Sequence, residues 1–251
     1  MAITLSNSRE AAKANGVKCA IYGLSGMGKT KLCATAPRPV IISAEKGLLT
    51  LRNYDVPVIE VRNFSEMWEA HKFLTGPDGA NFDTICLDSA SEIAEQVLSN
   101  AKLESKDPRQ AYGQLGQDMI IALKAFRDIK GKNVVMLAKQ GTIKDDLTGV
   151  MSYGPSFPGS IVTRDFPYLF DEVFQLGMQK RQIAGTNEFE DIRVLRTQPD
   201  VQYTAKDRSS MLPPAIIVPD MPDGTNSQFL TWIFQTIMAP PVAPQEQQPT
   251  A

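Results

Sequence analysis

The stretch VKCAIYGLSGMGKTKLCAT, residues 17–35, contains the pattern that decides the fold. Residues 17–22 form an apolar run with the character of a buried strand, and residues 29–35 can open a helix. Between them, residues 23–30 fit the pattern G-x-x-x-x-G-K-[ST]. A glycine-rich loop that joins a strand to a helix in this way is typical of a phosphate-binding loop, or P-loop.

Each part of this loop predicts a contact with a triphosphate. Glycines let the backbone curl so that successive N–H groups point at the β-phosphate. We expect the Lys29 ammonium to bridge β- and γ-phosphate oxygens and the Thr30 hydroxyl to bind Mg²⁺. A glycine-rich turn with an exposed lysine is the structural alternative. The predicted nucleotide-binding residues are Gly23, Leu24, Ser25, Gly26, Met27, Gly28, Lys29 and Thr30.

A second metal-binding side chain is expected from the segment FDTICLDS, residues 82–89. Asp88 ends an apolar strand, where its carboxylate could reach a water bound to Mg²⁺. Asp83 lies at the entry of the same strand, at the far end from the phosphates in a parallel sheet, so it is set aside. The alternative for Asp88 is an N-cap of the helix that begins near Ser91.

The catalytic carboxylate must come from another strand. Many P-loop ATPases have a Glu directly after the metal-binding Asp, but here that position is Ser89. Glu45 ends the strand-like segment PVIIS, which we expect to neighbour the P-loop strand. A carboxylate there could orient a water in line with the γ-phosphate. A solvated Glu paired with a nearby Lys or Arg is the alternative.

Gln140 follows the apolar strand NVVMLA, residues 133–138. A polar side chain at this place could report hydrolysis to the following loop, residues 141–160, although it could also be an ordinary polar residue at a strand end. That loop is long and rich in glycine, which favours a functional role. It contains Tyr153 and Phe157, on either of which a base could stack.

Composition is that of an ordinary soluble globule. The 251 residues are 43% hydrophobic and 22% charged, with a net charge of -2, so a globally basic nucleic-acid footprint is absent. No apolar run is long enough for a transmembrane helix or a signal peptide, and three cysteines make no disulfide framework. The chain is therefore expected to be cytoplasmic, with no membrane partner.

Apolar strands alternate with helical segments up to about residue 138, which predicts an α/β fold with a mostly parallel central sheet flanked by helices. Residues 171–180, 189–198 and 201–207 indicate antiparallel C-terminal strands, and residues 226–238 a last amphipathic helix. We expect one domain over residues 1–238, followed by a disordered Pro/Gln-rich tail over residues 239–251.

Together, these motifs resemble the RecA-like branch of P-loop ATPases. The segment AKDR, residues 205–208, looks like the Lys-x-Arg motif of RadA and DnaB-type proteins. That resemblance implies that Lys206 and Arg208 reach the nucleotide of a neighbouring subunit and stabilise transition-state charge there. It also implies a homo-oligomer with ATP at the subunit interface. More narrowly, residues 17–213 resemble the short phage ATPases of the Sak-four type, which are associated with single-strand annealing and recombination.

The resemblance implies an Mg²⁺-dependent ATPase that acts on single-stranded DNA in phage recombination, in the host cytoplasm. A single-strand-binding or replication protein is a possible partner. The enzyme alternative is a DnaB-like motor or a helicase-loading ATPase. The non-enzyme alternative is a DNA-binding annealing module that holds ATP as a structural ligand. A small-molecule kinase is a weaker option, because no acceptor-binding signature is present.

Overall fold

The structure, a computed structural model, describes residues 14–45, 47–104, 107–144, 149–220 and 228–240, together with Asn7 and Glu10. The strands are β1 (Lys18–Gly23), β2 (Pro39–Ser43), β3 (Val58–Glu60), β4 (Thr84–Asp88), β5 (Asn133–Lys144), β6 (Met151–Ser156), β7 (Glu172–Gln182), β8 (Phe189–Arg196), β9 (Lys206–Asp207) and β10 (Ala215–Ile217). The helices are α1 (Lys29–Cys33), α2 (Phe64–Thr75), α3 (Ala90–Glu104), α4 (Pro108–Arg127), α5 (Ser160–Asp165) and α6 (Phe229–Met238). Short 3₁₀ helices occupy Leu48–Leu51, Pro77–Asn81 and Phe166–Leu169.

All of these strands join one mixed sheet. Its order is β10-β8-β7-β1-β5-β4-β2-β3, with β6 paired to β5 and β9 paired to β7. Neighbours from β7 to β3 run parallel. The pairs that involve β6, β8, β9 and β10 are antiparallel. The predicted α/β fold class, a mostly parallel sheet with antiparallel C-terminal strands, is confirmed.

Helices cover both faces of this sheet. On β1, Ala20 and Tyr22 belong to the apolar cluster that includes residues of α2, α3, α4 and α5. Cys19 and Ile21 point to the opposite face and belong to the cluster that includes α1 and α6. Burial on both faces is the reason that the parallel strands are continuously apolar rather than alternating.

The segment after Ala138 differs from its prediction. Strand β5 does not end there but continues to Lys144, and β6 returns antiparallel to it, with Gln140 opposite Pro155. The outer half of this hairpin is largely exposed, so it carries little of the apolar periodicity by which strands are recognised. The predicted loop is therefore a β-hairpin over the described residues, and residues 145–148 lie outside them.

The predicted strand over residues 201–207 shortens to Lys206–Asp207. The Asp200 carboxylate accepts hydrogen bonds from the backbone N–H groups of Gln202 and Tyr203, both at 2.7 Å, and so holds this segment in a turn. Strand β10 has no counterpart in the sequence prediction, because three residues are too few to show a period. Of the predicted tail, residues 241–251 lie outside the described residues. Within the described residues, none of the helices combines the length and apolar character needed to cross a membrane.

Candidate active site

The site lies at the edge of the sheet where β1 and β4 end and where β5 leaves its parallel neighbours. We call this the carboxyl edge. Loops at this edge of an open α/β sheet commonly hold ligands. The P-loop leaves β1 here and enters α1. Gly26 and Gly28 have φ angles of 79° and 91°, in the left-handed region that glycine adopts without steric cost. These two glycines therefore give the loop its curled path.

Lys29 lies over its own loop. Its Nζ donates hydrogen bonds to the carbonyl oxygens of Gly23 and Leu24, both at 2.9 Å. Burial lowers the pKa of Lys29, while the carboxylates of Glu45 and Asp88 act in the opposite direction. The ammonium is thus held beside the cavity by acceptors that phosphate oxygens can replace.

Thr30 and Asp88 meet, as the motifs predict. The Thr30 hydroxyl donates to the Asp88 carboxylate at 2.6 Å, and burial raises the pKa of Asp88 while this hydrogen bond lowers it. The N-cap contact of α3 is made by Ser89 instead, since its Oγ accepts from the Glu92 backbone N–H at 3.3 Å. Asp88 is therefore directed at the P-loop rather than at the helix that follows it.

Glu45 reaches the site from a different strand position than predicted. The expectation that its strand neighbours β1 is wrong, because β5 and β4 lie between β1 and β2. Strands that follow each other along the chain need not pair when a helical crossover joins them. Glu45 nonetheless lines the cavity with Lys29 and Asp88, since β2 pairs with β4 in register, Ser43 opposite Asp88.

Ser89 holds the Glu45 side chain. Its hydroxyl donates to Glu45 Oε1 at 2.7 Å, and the peptide bond between Asp88 and Ser89 is cis. Ser89 stands where many P-loop ATPases have the catalytic Glu. It therefore contacts Glu45, the carboxylate that we predict to take that role.

Gln140 lines an adjoining space of about 680 Å³ that also includes Lys29 and Glu45. Its Oε1 accepts from the buried Gln175 at 3.0 Å, and Gln175 in turn accepts from Arg196 at 2.6 Å. The sequence did not indicate this chain of side chains, because it joins β5, β7 and β8 through tertiary pairing alone.

Lys206 and Arg208 lie elsewhere. Strand β9 pairs with the beginning of β7, where Glu172 faces Cys19 at the start of β1, so the pair lies at the amino edge, opposite the P-loop. Lys206 donates to the Pro167 carbonyl at 2.7 Å, and Arg208 forms an ion pair with Asp171 at 3.0 Å. Their action on a neighbouring subunit stays a prediction.

The main cavity, of about 990 Å³, is also lined by residues that no motif marks, notably Arg193 of β8 and Asp220. The Arg193 guanidinium carbon lies 3.9 Å from where a Cβ on Gly28 would be. Nothing in the local sequence distinguishes Arg193 from other strand arginines, because only the pairing of β8 with β7 and of β7 with β1 brings it here.

The residues at the carboxyl edge fit ATP with Mg²⁺. Residues of the curled loop line the cavity, Lys29 supplies a cation, and the oxygens of Thr30 and Asp88 are the hard ligands that Mg²⁺ prefers. These two side chains would hold the ion, which would neutralise phosphate charge.

Residues 15–209 match the family described as AAA domain. No curated protein matches the chain. Among solved structures, the chain is similar to one titled "Crystal structure of the RadB recombinase", with 15% sequence identity over 73% of this chain and 81% of that one and a TM-score of 0.40.

Proposed function

The chain belongs to the AAA domain family. We propose that it is an Mg²⁺-dependent ATPase of RecA type that acts on single-stranded DNA in phage recombination. The observation that carries the ATPase part is the convergence of four side chains from three separate segments on one cavity. They are Lys29, Thr30, Glu45 and Asp88.

The chemistry follows from these positions. Lys29 exchanges the two loop carbonyls for phosphate oxygens and stabilises the charge that develops on them. The Glu45 carboxylate orients the attacking water and accepts its proton. Ser89 fixes the direction of that carboxylate through its 2.7 Å hydrogen bond.

Contact with single-stranded DNA is supported by a cluster that Tyr153 of the β5–β6 hairpin forms with Tyr203 and Arg196. The Tyr153 ring stacks on Tyr203, with centroids 5.3 Å apart, and Arg196 lies over Tyr203 at 4.6 Å. Aromatic and guanidinium faces are surfaces on which unpaired bases stack. Arg196 also bonds Gln175, the partner of Gln140, so this cluster is connected to the nucleotide cavity.

Assembly of several subunits is supported by the position of Lys206 and Arg208. They lie at the edge opposite the P-loop of their own chain, so they can serve as an arginine finger only for a neighbouring copy. In this proposal, the protein is a homo-oligomer with the nucleotide at the subunit interface.

The test measures ATP turnover with and without single-stranded DNA, together with the mass in the presence of ATP. We expect Mg²⁺-dependent turnover that DNA stimulates, and a mass above that of one chain. Glu45→Gln should lower kcat by about a hundredfold while the Kd for ATP stays within about threefold, since a general base contributes to the chemical step. Glu60→Gln, an exposed carboxylate on β3, is the matched control.

Several results would contradict this proposal. Unchanged turnover in Glu45→Gln would show that the carboxylate assignment is wrong. Tight ATP binding without turnover by the unmodified protein would favour an annealing module with ATP as a structural ligand. Directional unwinding would favour a DnaB-like motor, and absence of DNA binding would remove the recombination role.

A further inference from the structure

Arg193 carries a donor that the described part of the chain leaves unused. Its Nε is buried and has no hydrogen-bond partner among the described residues. Buried donors without a partner are rare in folded proteins, because each costs the hydration that it lost. A donor of this kind at the wall of a ligand cavity indicates an acceptor that arrives with the ligand.

Arg193 belongs to the hairpin formed by β7 and β8, and the other arginines of this hairpin have their acceptors within the chain. Arg181 bonds Glu190 at 2.6 Å, and Arg196 bonds Gln175 at 2.6 Å. Arg193 instead faces the P-loop, with its NH1 at 4.0 Å and its Nε at 4.0 Å from the Cβ position of Gly28. It is therefore the loop, and not a carboxylate of the hairpin, that receives this guanidinium.

The position of β8 determines which phosphate Arg193 faces. In the sheet order β8-β7-β1-β5-β4, Arg193 approaches the P-loop from one flank, while Gln140 on β5 and Asp88 on β4 approach from the other. In the proposed function, Glu45 and Gln140, which together line the adjoining space, lie where the γ-phosphate reacts. Gly28 belongs to the part of the loop whose backbone holds the α- and β-phosphates.

On the basis of the proposed function, we propose that Arg193 binds the α/β part of the nucleotide's phosphate chain within its own subunit. A guanidinium is suited to this because it is planar, always charged and able to give two parallel hydrogen bonds to phosphate oxygens. The contact is separate from the predicted pair Lys206 and Arg208, which would act on a neighbouring subunit.

The experiment titrates Mg-ADP and Mg-ATP into the full chain by calorimetry. Arg193→Gln should raise the Kd of both nucleotides by the same factor, about tenfold to a hundredfold, as expected for loss of a charge-assisted hydrogen bond. Arg181→Gln, a change of the same chemistry on the same hairpin, should leave both Kd values unchanged. The melting temperature without nucleotide should not fall in Arg193→Gln, since the buried Nε has no hydrogen-bond partner within the described residues to lose.

The outcomes separate this inference from the proposed function. If Arg193→Gln binds both nucleotides as the unmodified protein does while Lys29→Ala does not, the Arg193 contact is wrong and the P-loop function stands. If only ATP binding weakens, Arg193 contacts the γ-phosphate, and the inferred contact with the α/β part of the phosphate chain is wrong. If the unmodified protein binds neither nucleotide, the proposed function itself fails.

Should Arg193→Gln not fold, Arg193→Lys takes its place. The lysine keeps the charge but loses the paired hydrogen bonds, so we expect the Kd of both nucleotides to rise about threefold or more. An unchanged Kd in that variant would overturn the inference.

Discussion

Two lysines, the buried Lys18 and the half-buried Lys29, stand near opposite ends of β1 and make contacts of the same kind. Lys18 begins the strand and donates to the carbonyl oxygens of Ile129 at 3.0 Å and Lys132 at 2.7 Å. Lys29 follows the strand and donates to two carbonyls of its own loop. Burial lowers the pKa of both lysines, that of Lys18 to about 8.

The difference lies in where the acceptors come from. The partners of Lys18 are more than a hundred residues away in the chain, on the segment that joins α4 to β5, so its contacts hold the tertiary structure together. The partners of Lys29 are within six residues and line the adjoining space that includes Gln140, so a ligand can replace them without disturbing the fold. The amino edge is thus bonded internally, whereas the carboxyl edge keeps its donors available.

The largest effect that tests this difference is expected from Lys29→Ala. Loss of two charge-assisted hydrogen bonds to phosphate, each about 1.5–3 kcal/mol, should weaken ATP binding at least about a hundredfold. The melting temperature without nucleotide should change little. Calorimetric titration measures the Kd for ATP, and thermal unfolding measures the melting temperature. A loss of stability as large as that in Lys18→Met would abolish the distinction between the two edges.

Lys18→Met should have the opposite profile. It leaves the Ile129 and Lys132 carbonyls without their donor, which costs about 1–3 kcal/mol of the free energy of unfolding. For a chain of this size, that corresponds to a melting temperature lower by about 2–10 °C. The Kd for ATP of the folded variant, measured well below its melting temperature, should equal that of the unmodified protein. A weakened affinity would show that the amino edge also controls the nucleotide site.

The last effect depends on pH and concerns Glu172, a buried carboxyl at the amino edge. Burial, followed by the neighbouring Asp207 and Asp171, raises the pKa of Glu172 to about 8, although the Ser209 backbone N–H lowers it. Between pH 4.5 and 8, the folded state therefore keeps a proton on Glu172 that the unfolded state has released. The free energy of unfolding falls as the pH rises through this window. Glu172→Gln cannot ionise.

Thermal unfolding from pH 5 to pH 8 checks this sign. The stability of Glu172→Gln relative to the unmodified protein should grow steadily as the pH rises from 5 to 8, in the direction set by the raised pKa of Glu172. Glu60→Gln, which removes an exposed carboxyl on β3, is the matched control. A constant difference across the window would mean that Glu172 is ionised throughout, like an exposed carboxyl.

Local patterns were sufficient for the parts of the site that are contiguous in the chain. The P-loop could be predicted because its strand, glycines, lysine and threonine are consecutive, and Asp88 because it ends an apolar run. The sequence indicates Glu45 only because Ser89 stands at the usual position of the catalytic Glu. The prediction that the strand before Glu45 neighbours β1 is wrong, because no single segment of the sequence specifies the order of strands in a sheet. The β5–β6 hairpin was missed because its exposed residues do not alternate in polarity.

By itself, the sequence determined an α/β fold built on a P-loop, because backbone geometry and burial on both faces act within a few residues of each other. Only the tertiary structure decided that Glu45 meets Ser89, that Gln140 is bonded through Gln175 to Arg196, and that Arg193 faces Gly28. Each of these contacts joins strands that are distant in the chain. They exist because sheet pairing, rather than local propensity, sets which side chains share an edge.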